Sequence, residues 1–192
     1  DVLADVAVCI VSFGEAAYYA AAYESAASAL AYTDAEILVL TDAVDIELPH
    51  DSRIAHLPVL TPERSSKRFM TKLEGWRACL NETEADVIVL LDADAVFVAD
   101  APSPELITLV RETDLAMVEQ VRLVQLGWRK GDYWRHYCRT SLKAIDAHAS
   151  PPSPENFRFF NAGFVISRRP GLERFLDWYR EVARRVDFDQ AD

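Results

Sequence analysis

The sequence of 192 residues has few of the features that mark specialised protein classes. It has no apolar run near the ~20 residues of a membrane-spanning helix, so we expect no integral membrane segment in this chain. Its 31 acidic residues outnumber its 20 basic ones, for a formal net charge of −11. Such a chain repels phosphate backbones, which excludes nucleic acid as a first-choice partner. An apolar fraction of 51% beside a charged fraction of 27% is typical of a globular protein.

Cysteine is also scarce. The three cysteines, Cys9, Cys79 and Cys138, are widely spaced and form no CxxC pair, which argues against a disulfide framework and against a zinc site. Cys9 and Cys79 lie in apolar stretches, and we expect both to be unbonded core thiols. Together with the lack of a visible signal peptide, this favours a reducing, cytoplasmic location. Any membrane association would then come from parts outside this chain.

What the sequence does contain is an alternation of short apolar runs with longer helical patterns. This alternation predicts an α/β fold in which helices flank a mostly parallel sheet, in a single domain over residues 1–192. The predicted strands are Val6–Val11, Ile37–Leu40, Val87–Leu91, Leu115–Val118 and Phe164–Ser167. The predicted helices are Glu15–Ala31, Ser66–Leu80 and Gly171–Val186. Residues 121–158 are aromatic and basic, then proline-rich, and we interpret them as a functional insertion.

Two aspartates follow the strongest predicted strand. Val87–Leu91 is apolar throughout and leads directly into Asp92 and, two residues later, Asp94. Side chains two apart on an extended chain point the same way, and open α/β sheets bind ligands at the carboxyl ends of their strands. Two adjacent carboxylates repel each other unless a cation neutralises them, and Mn²⁺ or Mg²⁺ prefers such oxygen ligands. We therefore predict that Asp92 and Asp94 bind a divalent metal ion, the alternative being two solvated aspartates in a turn.

Three segments resemble one enzyme family. Residues 90–98 (LLDADAVFV) look like the DxD region of GT-A nucleotide-sugar glycosyltransferases. Residues 159–167 (FFNAGFVIS) resemble the NAG element of the glycogenin and lipopolysaccharide galactosyltransferase-like family, and Asp189-Gln190 resembles its later DQ element. The resemblance implies a GT-A-like (Rossmann-like) fold. It also implies a hexosyltransferase that moves a sugar, with retention, from a nucleotide-diphosphate sugar to a carbohydrate, lipid or protein acceptor.

The same resemblance implies roles for individual residues. Asp92 and Asp94 would bind the metal and the diphosphate, and Gln190 and Asp189 would lie near the anomeric carbon as candidate catalytic residues. The candidate substrate-binding residues are Ser12, Phe13, Arg68, Lys72, Asn161, Ala162 and Gly163. A cationic pair such as Arg68 and Lys72 would balance phosphate charge. Within the insertion, the aromatic and basic stretch 128–137, which contains Trp134, is the candidate acceptor region.

One element of the family has no counterpart in the sequence, namely the metal-binding His near the C-terminus. The four histidines are His50, His56, His136 and His148. We therefore expect a domain truncated at its C-terminus, a different third metal ligand, or weakened metal binding. Two alternatives stay open: a degenerate, non-catalytic nucleotide-binding module related to these transferases, and a haloacid-dehalogenase-like phosphatase, which also carries Asp-x-Asp after an apolar strand.

Overall fold

The computed structural model describes residues 6–58, 68–119 and 160–185, with the backbone alone at 68–71, 119, 160–162 and 182–185. In these ranges a six-stranded sheet is flanked by four helices. The strands are β1 (Val6–Ser12), β2 (Glu36–Thr41), β3 (Ile54–Pro58), β4 (Val87–Asp92), β5 (Leu115–Glu119) and β6 (Phe160–Arg168). The helices are α1 (Ala16–Tyr32), α2 (Arg68–Glu82), α3 (Pro104–Thr113) and α4 (Arg169–Arg185). The predicted α/β class is confirmed.

The sheet is mixed, with the strand order β3-β2-β1-β4-β6-β5. β1 is parallel to β2 and to β4, and β2 is parallel to β3. β6 is antiparallel to both of its neighbours, β4 and β5. The predicted parallel arrangement therefore holds for β1 to β4 and fails at β6. All five predicted strands and all three predicted helices are present, whereas β3 and α3 were not predicted.

The central strands are buried on both faces, as their unbroken apolar sequences predict. Their side chains alternate between the two faces of the sheet. Val8 and Ile10 belong to a core that includes Ala22 of α1 and also residues of α3. Val11 belongs to the opposite core with Leu73 of α2 and with residues of α4. Hence α1 and α3 cover one face, while α2 and α4 cover the other.

Cys9 and Cys79 form a disulfide bond between β1 and α2. Both side chains are fully buried, and their Cα atoms are 6.5 Å apart, a separation that a disulfide spans. The expectation of two unbonded core thiols was wrong. The reducing compartment inferred from it loses its support, because disulfides persist mainly in oxidising environments. The bond ties α2 covalently to the middle of the sheet.

Arg169 stabilises the carboxyl end of α2. Its guanidinium donates hydrogen bonds to the carbonyl oxygens of Leu80 at 2.7 Å and Ala85 at 3.3 Å, and also to that of Thr83. Carbonyls at the end of a helix lack intrahelical donors and carry the negative end of the helix dipole. The cation of Arg169 therefore satisfies groups that would otherwise be unpaired, and Arg53 does the same at the end of α1.

We expect the substitution Arg169→Met to lower the free energy of unfolding by about 2–4 kcal/mol, because several carbonyls lose a charged donor at once. Urea unfolding followed by circular dichroism measures this change. Arg174→Met is the matched control on the same helix, since the Arg174 side chain is 66% exposed and its partner is Asp114. The control should cost less than about 1 kcal/mol. Equal losses in the two variants would contradict the assigned role of Arg169.

Candidate functional site

Residues from four neighbouring strands, β2, β1, β4 and β6, meet at one edge of the sheet. β1 and β2 end in register at Ser12 and Thr41, and β4 ends at Asp92 beside the end of β1. Because β6 is antiparallel to β4, it begins at this edge: Leu91 pairs with Phe164, and Gly163 precedes Phe164 in β6, where the pairing with β5 is irregular. The structure thus brings Ser12, Asp92 and Gly163, all predicted site residues, to the edge where α/β sheets bind ligands.

The carboxylate of Asp92 forms an ion pair with the ammonium of Lys72. Asp92 follows Ile88 and Leu90 on the face of β4 that α2 covers, and Lys72 extends from α2 to this face. The Lys72 side chain is 20% exposed and that of Asp92 is 37% exposed. The ammonium also lies over the indole of Trp76, with Nζ 5.2 Å from the ring centroid. A positive and a negative group are therefore both partly accessible at the sheet edge.

Asp94 does not follow the predicted alternation. The strand ends at Asp92, and the amide of Ala95 donates to the carbonyl of Asp92 at 3.0 Å, which closes a turn. Ala93 is buried in the core beneath α1, while Asp94 is exposed. The prediction of an extended chain from Asp92 to Asp94 was therefore wrong, because the strand ends at Asp92 and Asp94 lies in the turn that follows.

The described residues offer a limited set of metal ligands. Within 6–58, 68–119 and 160–185 no group of three or more His, Cys, Asp or Glu side chains is placed to hold a metal ion. Asp92 and Asp94 still provide two oxygen donors close in sequence. Mg²⁺ is commonly held by one or two carboxylates together with water and substrate phosphates. This donor set therefore fits an ion that binds jointly with a phosphorylated ligand.

The turn after β1 is fixed by Asp42, which was not predicted as a site residue. Its Oδ1 accepts hydrogen bonds from the amide of Gly14 at 3.0 Å and from the hydroxyl of Tyr19 at 2.7 Å. Gly14 has a φ of 102°, a conformation that favours glycine. The sequence did carry a signal for this position, since Asp42 follows a buried strand just as Asp92 does. Asp42 thereby joins the ends of β1 and β2 at the site.

Ser12 and Phe13, both predicted to bind substrate, have different surroundings. Ser12 is 2% exposed, and its hydroxyl has no hydrogen-bond partner within the part of the chain that the structure describes. Phe13 packs against the backbone of α2 at Gly75, where an added Cβ would lie 3.2 Å from a ring carbon. Phe13 therefore supports the helix that carries Lys72, and a side chain at position 75 would displace the Phe13 ring by a few tenths of an ångström.

The remaining predicted site residues are described in part or not at all. Arg68 is the first residue of α2, one turn before Lys72, and Asn161 and Ala162 belong to β6 near the site edge. The side chains of these three residues lie outside the described part of the structure. The acceptor stretch 128–137 with Trp134, the candidate catalytic residues Asp189 and Gln190, and the histidines His136 and His148 lie outside the described residues altogether.

A groove of about 420 Å³ runs along α1. It is lined by Tyr19, Tyr23 and Ile46, by the carboxylates of Glu24, Asp45 and Glu47, and by two alanines of α1. None of the predicted site residues lines it. Tyr19 connects the groove to the site edge through its hydrogen bond to Asp42.

Comparisons with known proteins leave the function to be inferred from this geometry. No protein-family model matches the chain, and no curated protein sequence matches it. Among the helices of the described ranges, none combines the length and the apolar character that a membrane crossing requires.

Proposed function

We propose that the chain is a metal-dependent glycosyltransferase with a GT-A-like fold, which takes a sugar from a nucleotide-diphosphate donor with retention of configuration. The observation that carries this proposal is the Asp92–Lys72 pair at the carboxyl edge of the strands. A metal-bound diphosphate complements both members of the pair, since it offers a cation to the carboxylate and anionic oxygens to the ammonium. The acidic net charge of the chain is no obstacle, because the divalent ion reverses the local charge.

In this proposal, Asp92 and Asp94 would hold Mn²⁺ or Mg²⁺ together with the donor diphosphate. The ion would stabilise the negative charge that develops on the departing nucleoside diphosphate. Lys72, with Arg68 one turn earlier, adds positive charge near the same phosphates. Gly163 has no side chain, so the donor sugar would approach the backbone of β6 closely at this edge.

Further roles are carried over from the sequence resemblance alone. Asn161 and Ala162 would line the sugar pocket, and Gln190 and Asp189 would lie near the reacting carbon. The acceptor, a carbohydrate, a lipid or a protein, would be bound by the stretch 128–137.

Lys72 acts in this site by exchanging partners. In the structure its ammonium neutralises Asp92. When the donor binds, Asp92 would serve as a ligand of the divalent ion, and the Lys72 ammonium would pair instead with the donor phosphates. Lys72 therefore opposes binding of the metal alone and supports binding of the metal together with the donor.

The substitution Lys72→Met tests this exchange, because it removes the charge and keeps a long side chain. We expect binding of a nucleoside diphosphate with Mn²⁺ to weaken about tenfold or more, since a charge-assisted contact to phosphate is lost. Binding of Mn²⁺ alone should become tighter, because Asp92 loses its competing cation. Isothermal titration calorimetry measures both dissociation constants.

Arg77→Met is the matched control for Lys72→Met. It removes a cation from the same helix, and the partner of Arg77 is Asp177 of α4. Neither dissociation constant should change in this variant. Weakened nucleotide binding in both variants would show that the effect follows the net charge of α2 and would contradict the assigned role of Lys72.

A thermal-shift panel tests the proposed function as a whole. UDP, GDP and a set of nucleotide-sugars are added to the protein with and without Mn²⁺, and a native-state ligand at a hundredfold excess over Kd adds about 2.7 kcal/mol of stability. A Mn²⁺-dependent rise with one nucleotide supports the proposal. A shift without sugar transfer or donor hydrolysis would favour the non-catalytic nucleotide-binding module. No shift with any nucleotide, together with hydrolysis of phosphate monoesters, would favour the phosphatase.

A further inference from the structure

We propose that the indole of Trp76 is a second binding position for the Lys72 ammonium, which keeps this charge at the site edge when a metal ion occupies the oxygens of Asp92. The inference rests on the proposed function. Lys72 and Trp76 are one turn apart on α2, and Nζ lies 5.2 Å from the ring centroid while the ammonium is paired with Asp92. Among the described residues the ammonium thus contacts a carboxylate, which a metal ion can bind, and an indole, which a metal ion does not bind.

The indole is held firmly enough to serve this purpose. Trp76 is 2% exposed and belongs to the core between the sheet, α2 and α4. Phe175 of α4 packs against it, with ring centroids 6.4 Å apart and planes inclined by 39°. A ring fixed in this way keeps its position when a ligand binds at the sheet edge. Trp76 is therefore a positioning residue, which acts on the donor through Lys72 and does not touch the reacting atoms.

The geometry suits an attraction between the cation and the ring. A Lys ammonium within about 6 Å of the centroid is drawn to the face of an aromatic ring, most strongly to that of Trp, and the attraction grows when water is partly excluded. The Lys72 side chain is only 20% exposed. Loss of the ring removes this attraction, so the Lys72 side chain would sample more rotamers and would reach the phosphates less often.

Substitutions at Trp76 test the proposal. With UDP or GDP and Mn²⁺ as probes, we expect Trp76→Leu to raise the dissociation constant of the bound nucleotide about three- to tenfold. Trp76→Phe keeps an aromatic face and should retain most of the nucleotide affinity of the parent protein. This variant still tests the proposal if Trp76→Leu does not fold. Trp178→Leu is the matched control, since Trp178 is 55% exposed and packs on Phe175 in the same aromatic cluster, and its removal leaves both the contact of Lys72 with Trp76 and that of Trp76 with Phe175 in place. Its nucleotide affinity should be unchanged, and an equal loss there would overturn the proposal.

A double substitution shows whether Trp76 acts through Lys72. In the Lys72→Met background, Trp76→Leu should have no further effect on nucleotide affinity, because there is no ammonium left to position. If Trp76→Leu lowers nucleotide affinity by the same factor whether or not Lys72 is replaced, Trp76 affects the site through packing alone. That result would overturn the proposal.

A nuclear magnetic resonance measurement without nucleotide separates this proposal from the proposed function. An ammonium over the indole places the ε-methylene protons of Lys72 in the shielding region of the ring, and we expect an upfield shift that Trp76→Leu abolishes and Trp178→Leu preserves. Absence of the shift would overturn the contact and the proposal built on it. If the shift is present and neither UDP nor GDP binds with Mn²⁺, the proposed function fails, and the role of Trp76 in donor binding fails with it.

Discussion

Replacing Asp92 with Asn is expected to lower kcat for sugar transfer by about a hundred- to a thousandfold. In the proposed mechanism the carboxylate holds the ion that stabilises the leaving group, and an amide is a far weaker ligand for a hard cation. Losses of this size are typical when a group that stabilises transition-state charge is removed. The measurement is release of nucleoside diphosphate from the donor that the thermal-shift panel identifies, at saturating Mn²⁺. The pair with Lys72 is partly exposed, so the free energy of unfolding should fall by less than about 1 kcal/mol.

Asp86→Asn is the matched control for Asp92→Asn. Asp86 precedes the opposite end of β4, its side chain is 38% exposed, and it pairs with Arg168 at 3.5 Å. Both substitutions therefore remove one charge from a partly exposed ion pair beside the same strand, and the control should keep nearly full activity. Normal turnover in the Asp92 variant would exclude the proposed metal site. An equal loss in both variants would point to a general effect of charge or folding.

Removal of the disulfide is expected to cost about 4 kcal/mol of unfolding free energy. The bond closes a loop with a sequence separation of 70 residues, and the loss of chain entropy in a cross-linked unfolded state of this length predicts that figure. The double variant Cys9→Ala/Cys79→Ala should therefore unfold at a markedly lower urea concentration than the parent protein.

A comparison with the reduced parent protein separates the cross-link from the packing of sulfur atoms. Reduction in denaturant followed by refolding in dithiothreitol breaks the bond and leaves both side chains in the core. The reduced parent should lose most of the 4 kcal/mol, and the Ala variant somewhat more, because it also loses buried atoms. Dithiothreitol should not change the stability of the Ala variant. An oxidised and a reduced parent of equal stability would contradict the structural role of the bond.

Most of the fold could be predicted because its central strands are unbroken apolar runs. β4 reads VIVLLD, and such a sequence is compatible only with burial on both faces. β3 reads IAHLP and is half-buried, with His56 at its centre, so no apolar run marks it. α3 is short, although Ser103 caps its first turn by accepting a hydrogen bond from Leu106. A Ser-Pro-Glu start is a known sequence signal for a helix, so α3 was predictable in principle.

The candidate site was predictable where it depends on strand ends. Asp92 and Ser12 each follow an apolar run, and parallel neighbours bring such ends together. The pairing of Lys72 with Asp92 required a knowledge of how α2 lies on the sheet, which local sequence does not provide. The position of Asp94 depended on where the strand stops, and a shift of that boundary by one residue changes the direction of the side chain. The bond between Cys9 and Cys79 is likewise a tertiary contact, between residues far apart in the chain.

The reversed direction of β6 has a consequence for how this protein could be diversified. β5 ends at Glu119 and β6 begins at Phe160, and these two residues are paired in the register of the sheet. The segment 120–159 therefore leaves and rejoins the sheet at adjacent positions, on the same edge as Asp92. Because closing a longer loop costs little extra entropy, its length and sequence can change while the strand pairing stays intact. A library of chimaeras that exchange only residues 120–159 would vary this segment while the sheet and its helices stay unchanged. It would show whether this segment determines which partner the protein binds.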